Sequence, residues 1–366
     1  MMNKMNKNAR KWGVGLLAAG LLLTGGVIPA ETGHAAAASS AQSKPGSTVM
    51  LKFNSALTQQ TGLYKEGKVW VPVSYLRDVL KLPVSYNKAD KTYVVGKGTQ
   101  KAQLMVYPGD VTISVNGFYI KEYEAKLLNG RMFVPFDLLS DYMGYQGDWN
   151  AASGRLNMTA RPQNALKITT TTIENNREGV TLKLDYPQIS GLADTKVQNS
   201  INSQLKLTAT NFEKSAEKEI AERNKEDRPY EYQASYVVTY NQNGVLSLIT
   251  NQYGYMGGAH GLDTRQAFTF SLKDGKRLLL KDLFGANSNY KVELNTKLGN
   301  LIKNHGGYLG GFNGLATEKQ FYLKDGKVTI FFQIYEYTAY AAGFPEYTFS
   351  FKEILPDGSS PFAAFK

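Results

Sequence analysis

The sequence predicts an α+β protein of two modules. The first is a β-rich module built on a tandem repeat with short helices, and the second is a mixed domain with a largely antiparallel sheet and two main helices. Three observations predict it. Residues 66–95 and 129–158 align without a gap at a constant offset of 63. Alternating apolar segments turn about Asn-Gly and Asp-Gly pairs, the signals of tight antiparallel hairpins. Two other segments carry apolar residues at helical spacing between the strand clusters.

Residues 1–37 have the three parts of a secretory signal. Lys4, Lys7, Arg10 and Lys11 precede the apolar run GVGLLAAGLLLTGGVIP, and small residues follow, with cleavage expected near Ala36 to Ala38. The alternative is a retained anchor helix, but the run is interrupted by glycines and is just short of the ~20 apolar residues a span needs. No second apolar stretch of spanning length follows, so a secreted, extracellular or wall-associated protein is expected. Residues 38–47 read as a linker.

The repeat spans EGKVWVPVSYLRDVLKLPVSYNKADKTYVV and NGRMFVPFDLLSDYMGYQGDWNAASGRLNM. Gly67 aligns with Gly130, Val71-Pro72 with Val134-Pro135, and Tyr86-Asn87 with Trp149-Asn150. Each copy reads as a strand, a helix begun by the proline, and a hairpin. VTISVNGFYI, just ahead of the second copy, is a hairpin about Asn116-Gly117.

In residues 161–366, QNALKITTTTIENN and GVTLKLDYPQISG read as two β-rich segments with a turn at Asn175-Asn176 between them. A long helix follows, capped by Asp194, with Val197, Ile201, Leu205, Phe212, Ala216 and Ile220 on one face. Strands then turn at Asn243-Gly244, a second amphipathic helix covers NSNYKVELNTKLGNLIKN, and a hairpin at Asp325-Gly326 precedes a final strand in PEYTFSFKEI.

Composition narrows the chemistry. There is no cysteine, which removes disulfides, thiolate metal sites and cysteine nucleophiles. The formal charge of +11 falls to +8 without residues 1–37, which carry four basic side chains and one acid. Of that, residues 38–160 contribute +5 and residues 161–366 contribute +3. A basic first module fits anionic wall polymers or simple solubility equally well. The export signal and the absence of a lysine/arginine cluster argue against nucleic acid.

The Gly-basic-x-x-Val-Pro pattern, the aromatic-Asn pair and the closing strand resemble the copper amine oxidase N-terminal (stalk) domain over residues 48–160. The resemblance implies a spacer or wall-associating stalk. It implies no oxidation here, because the enzyme takes three copper-binding histidines and the exported chain has only His260 and His305. LDYPQISGLADTKVQNSINSQL, YMGGAHG, GKRLLLKDLFG and LKDGKVTIFFQIYEYTAYAAGFPEYTFSFKEI resemble the paired domains of unknown function of the anti-sigma-V factor RsiV, and the module preceding the catalytic domain in PdaC-type peptidoglycan deacetylases. That resemblance implies recognition of a lysozyme-like muramidase or of peptidoglycan, by a module that is itself non-catalytic.

Two segments carry the candidate binding residues. In NQYGYMGGAHGLD, Tyr253, Tyr255 and His260 stand on a glycine loop that reads either as a recognition surface or as a turn. In FFQIYEYTAYAAGFPEYTF, Tyr335, Glu336, Tyr337 and Tyr340 are the residues expected to be exposed if the segment binds a partner, with core packing as the alternative. No nucleophile elbow, HExxH helix or spaced ligand set is present, so no catalytic residue, metal or cofactor is assigned. The expected function is an exported, envelope-associated binding protein without catalysis; the alternative is a peptidoglycan-modifying enzyme or a regulator of one.

Overall fold

The computed structural model describes residues 46–365, so the predicted signal segment and nearly all of the linker lie outside the described residues. Within them, no helix is long and apolar enough to cross a membrane.

The first module runs through β1 (Ser47–Phe53), β2 (Ala56–Lys65), β3 (Lys68–Pro72), α1 (Val73–Asp78), β4 (Val84–Asn87), β5 (Thr92–Val95), β6 (Ala102–Tyr107) and β7 (Asp110–Val115). It continues with β8 (Phe118–Glu124), β9 (Lys126–Leu128), β10 (Arg131–Pro135), α2 (Phe136–Tyr142), β11 (Tyr145–Asn150) and β12 (Arg155–Ala160). Both repeat copies therefore take the strand-helix-hairpin form. Each proline stands at the N-cap, Pro72 at φ −70° and Pro135 at φ −66°, where it ends a strand without costing a helical hydrogen bond. The repeated asparagines shape the hairpins: Asn87 Oδ1 accepts from the Ala89 N–H at 3.0 Å, and Asn150 Oδ1 from the Ser153 N–H at 2.9 Å.

The two copies meet head to head. Val71 pairs with Val134, flanked by Pro72 with Phe133 and Trp70 with Pro135, so equivalent residues of the repeat face each other across the antiparallel β3–β10 contact. Symmetry ends there. β12 joins the seven-stranded sheet β11-β12-β1-β2-β3-β10-β9 by pairing parallel with β1, whereas its counterpart β5 pairs antiparallel with β6 in the sheet β4-β5-β6-β7-β8. The predicted β7–β8 hairpin has Asn116 at φ 52° and Gly117 at φ 80°, the left-handed pair a two-residue turn requires.

The second module contains β13 (Lys167–Glu174), β14 (Val180–Ser190), α3 (Thr195–Ala221), β15 (Tyr230–Gln242), β16 (Val245–Met256), β17 (Leu262–Ser271), α4 (Leu280–Phe284), α5 (Tyr290–Lys303), β18 (Phe321–Lys324), β19 (Lys327–Phe331) and β20 (Glu346–Phe349). The sheet β13-β14-β15-β16-β17 is antiparallel except at β14–β15, which are parallel because α3 crosses between them. Val197, Ile201 and Leu205 of α3 pack on Leu246, Leu248, Phe268 and Phe270, while Ala216 and Ile220 pack with Leu182 and Tyr232. Phe212 is only partly buried against the same cluster. Leu294, Leu298 and Ile302 of α5 cover the small sheet β18-β19-β20.

The predicted cap is formed: Asp194 Oδ1 accepts from the Lys196 and Val197 N–H groups at 2.8 and 3.2 Å. Replacing Asp194 with Ala is expected to cost about 1 kcal/mol. Urea unfolding checks it: the midpoint should fall with an unchanged slope.

Strand alternation gives the large sheet two working faces. One packs on α3; the other places Val237, Ile249 and Ala267 in one core with the first module and with Tyr322 and Phe331. The residues between the modules are fastened as well, since Asn164 Nδ2 donates to Asn241 Oδ1 and to the Val245 carbonyl, both at 2.9 Å. The two modules therefore share a core and form one compact unit.

Candidate functional site

A cleft of about 630 Å³ opens where the modules meet. β8 contributes Phe118, Tyr119, Lys121 and Glu122, and α2 contributes Tyr142. The opposite wall comes from β16 and β17, where Asn251 lies across from Arg265 and Tyr253 across from Asp263. Residues two apart on a strand share a face, so these four side chains project away from α3 toward the first module. The stretch from Ile334 to Glu346 closes the third side with Tyr340 and Phe344.

Arg265 forms the floor, with its side chain only 10% exposed. It pairs with Glu346, donates from Nε to Asn251 Oδ1 at 2.9 Å, and lies 4.2 Å from the Phe344 ring centroid. Gln333 clasps the backbone here, accepting from the Arg265 N–H and donating to its carbonyl. The Tyr322 hydroxyl donates to Glu346 at 3.0 Å, and burial together with that carboxylate pushes its pKa well above the usual tyrosine value.

A second charged group welds the modules behind the cleft. Lys324 at the end of β18 reaches Glu122 at 3.2 Å and Asp141 at 3.5 Å; the Tyr142 hydroxyl donates to Glu122, and Tyr123 donates to Asp141 at 2.6 Å. Burial pushes the Glu122 carboxyl up, but the Lys324 ammonium and the Tyr142 hydroxyl outweigh it, and its pKa falls below the usual value. Burial wins at Asp141, whose pKa is raised despite Lys324. Burial works against charge on Lys324, yet the surrounding carboxylates hold its pKa above the ordinary lysine value.

Asp263 differs from its neighbours. Burial raises its pKa, Arg265 offsets this only in part, and among the described residues its carboxylate has neither a hydrogen-bond donor nor an ion-pair partner.

The two sequence segments singled out above come together at the cleft rim. The His260 and Tyr340 rings stack with centroids 4.1 Å apart, and the Tyr340 hydroxyl donates to the Gly261 carbonyl at 3.1 Å. A Cβ on Gly261 would approach the Tyr253 ring to 2.3 Å, so glycine is what lets this tyrosine lie on the loop. Gly257, at φ 77°, turns the chain at the end of β16. Tyr255 donates to the Gly258 carbonyl at 3.2 Å, away from the cleft lining. Tyr335 is 53% exposed, with its ring 5.7 Å from that of Tyr340.

Glu336 and Tyr337, expected to be exposed, are half-buried and turned inward. Glu336 accepts from the Gln333 N–H at 2.8 Å and from Gln320 Nε2 at 3.1 Å, closing the turn after β19. Tyr337 stands edge-on to Phe332 and Phe312, with centroids 5.0 and 5.4 Å away, because it fills the gap beside α5. His305 stands edge-on to Tyr347, with centroids 6.4 Å apart, and does not join the His260–Tyr340 stack. Among the described residues no three His, Asp or Glu side chains converge as a metal site.

Sequence reasoning passed over Arg265, Glu346, Asn251, Phe118 and Phe344. Nothing in the local pattern marks them: Asn251, Tyr253, Asp263 and Arg265 stand among other polar residues, Thr250, Gln252, Thr264 and Gln266, where the apolar alternation of both strands has already ended. The loop between β16 and β17 has no tight-turn signature, so the register that sets them opposite one another could not be read.

The fold and its cleft thus define a two-module α+β protein whose site is built by both modules. Three family models match parts of the chain: residues 51–158 match the copper amine oxidase N-terminal domain, residues 173–263 match deacetylase PdaC, and residues 281–352 match a protein family of unknown function, DUF3298. Each matched segment lines the cleft, and Arg265 lies between the last two. A solved DUF3298 family protein from Bacteroides fragilis is 19% identical, covering 56% of this chain and 98% of its own, with a TM-score of 0.42. One from Pseudomonas aeruginosa is 17% identical, covering 52% and 93%, with a TM-score of 0.39. No curated protein matches the chain.

Proposed function

We propose that the protein is a non-catalytic binding protein of the cell envelope whose inter-module cleft holds a segment of peptidoglycan glycan, with the first module as a wall-associating stalk. One observation carries this reading. The cleft sets the aromatic side chains of Tyr119, Tyr340 and Phe344 beside the polar groups of Asn251, Asp263 and Lys121, the mixture that suits a sugar with one apolar face and many hydroxyls. The match to a deacetylase family model over residues 173–263 supports an envelope setting. Hydrolysis of a glycan takes two available carboxylates, and here Glu346 and Glu122 are engaged by Arg265 and Lys324.

A second reading places a lysozyme-like muramidase on the rim, favoured by the exposed Tyr335 beside the His260–Tyr340 stack. Charge speaks against it for a strongly basic partner, because Glu217 on α3 is already paired with Arg177 at 2.5 Å and Asp227 accepts from the Asn224 N–H at 2.8 Å.

Calorimetric titration of the full exported chain with soluble peptidoglycan fragments, and in parallel with lysozyme, tests the choice. Saturable fragment binding that weakens about tenfold in Tyr340→Ala, equivalent to about 1.4 kcal/mol, is expected. Mass spectrometry of the recovered fragments should show them unchanged. Turnover would move the enzyme reading to the front, and binding of lysozyme alone would move the site to the Tyr335 rim.

A further inference from the structure

We infer that Asp263 makes the cleft selective for a protonated primary amine on the bound sugar, so that an N-deacetylated amino sugar is preferred to its N-acetylated form. The inference rests on the glycan reading above and deepens it.

The charges of the lining do not cancel. Three carboxylates, Glu122, Asp263 and Glu346, face two cations, Lys121 and Arg265. Two of the carboxylates are accounted for within the protein, Glu346 by Arg265 and Tyr322, and Glu122 by Lys324 and Tyr142. Arg265 does not turn to Asp263, since its Nε is given to Asn251 and another nitrogen to Glu346. Lys121 reaches the stretch after Tyr340, where its ammonium lies 3.5 Å from the Ala342 carbonyl, and among the described residues no ion pair joins it to Asp263. Asp263 is left as a half-buried carboxylate in a cavity, without a donor among the described residues. Burying a carboxylate unpaired is unfavourable, so a ligand that brings a donor cation there relieves a cost the free protein carries.

The neighbours of Asp263 suit an ammonium group rather than a metal ion. Its cross-strand partner is Tyr253, and Tyr340 lines the same cleft, so the carboxylate stands in an aromatic and hydroxyl-bearing setting. The described residues bring no second and third carboxylate or histidine to the same point, as a metal would need. Acetylation of the amine removes the charge and one donor and adds bulk. A site relying on Asp263 therefore discriminates against it.

The test titrates the full exported chain and Asp263→Asn with the tetrasaccharides of glucosamine and of N-acetylglucosamine, below the pKa of the sugar amine. The wild-type protein is expected to bind the glucosamine form at least about tenfold more tightly. The isosteric Asp263→Asn, which removes a buried charge and keeps the shape, should lose that preference while its affinity for the acetylated form is unchanged. Equal wild-type affinity for both sugars, or a preference that survives Asp263→Asn, overturns the inference and leaves the glycan reading standing. Failure of both sugars to bind overturns the two together. A lysine-containing stem peptide forms a third arm: an Asp263-dependent preference confined to the peptide amine would overturn the assignment to sugar.

Discussion

Replacing Lys324 with Met is expected to be among the most damaging single changes to stability, at about 3 kcal/mol near pH 7. The lysine is 16% exposed and is the counter-ion for both Glu122 and Asp141, the latter 9% exposed. Its removal leaves two neighbouring carboxylates of the first module without the cation that the second module supplies. The lower end of the range for broken buried pairs applies, because Glu122 keeps 36% of its side chain exposed and is partly solvated.

The pH dependence gives the prediction its signature. In the wild-type protein the lowered pKa of Glu122 contributes stability that is present above the unfolded glutamate value and lost as pH falls through the folded one. Asp141, with a raised pKa, acts in the opposite sense. Without Lys324, burial dominates at both carboxyls and raises both folded values above the unfolded ones of about 4. Such groups destabilise when ionised and cease to do so once protonated. The deficit of the variant should therefore shrink as pH falls from about 7 to about 4.5. Urea unfolding at the two pH values measures it, and a deficit that is small or independent of pH would show that this cluster does not hold the modules together.

Arg265→Met is the second large effect, because it strikes stability and the cleft at once. The guanidinium is surrounded by Phe118, Phe331 and Phe344, and it neutralises Glu346, which is only 30% exposed. Methionine fills much of the same volume, so the loss is chiefly electrostatic: Glu346 retains only the Tyr322 hydroxyl. A cost of about 3 kcal/mol is expected, together with loss of measurable binding in the cleft. Adding Glu346→Gln removes the uncompensated charge, so the double variant should recover part of the stability but not the binding. A double variant no more stable than Arg265→Met alone would mean that the arginine acts by packing rather than by charge.

Much of the fold is written in local chemistry. The three hairpin turns at Asn116-Gly117, Asn243-Gly244 and Asp325-Gly326 all adopt the left-handed backbone their residues favour. The Asp194 cap and the apolar face of α3 follow from spacing alone, as do the two Val-Pro steps that end a strand and open a helix. The same local logic picked out the Gly-His loop and the tyrosine-rich segment. It failed at Glu336 and Tyr337, since a carboxylate that closes a turn and a tyrosine that fills a core gap have the composition of exposed residues.

Short-range rules thus establish the modules, the repeat, the turns and the helix faces, because each depends on residues a few positions apart. The cleft depends on other distances. Val71 meets Val134, Arg265 meets Glu346, His260 meets Tyr340, and Lys324 meets Glu122, through pairings that only sheet register and module packing could fix. Asp263 shows the difference most plainly. In the chain it is one acid among 31, and only the folded arrangement, by giving the neighbouring charges other partners, leaves its carboxylate without a hydrogen-bond or ion-pair partner among the described residues.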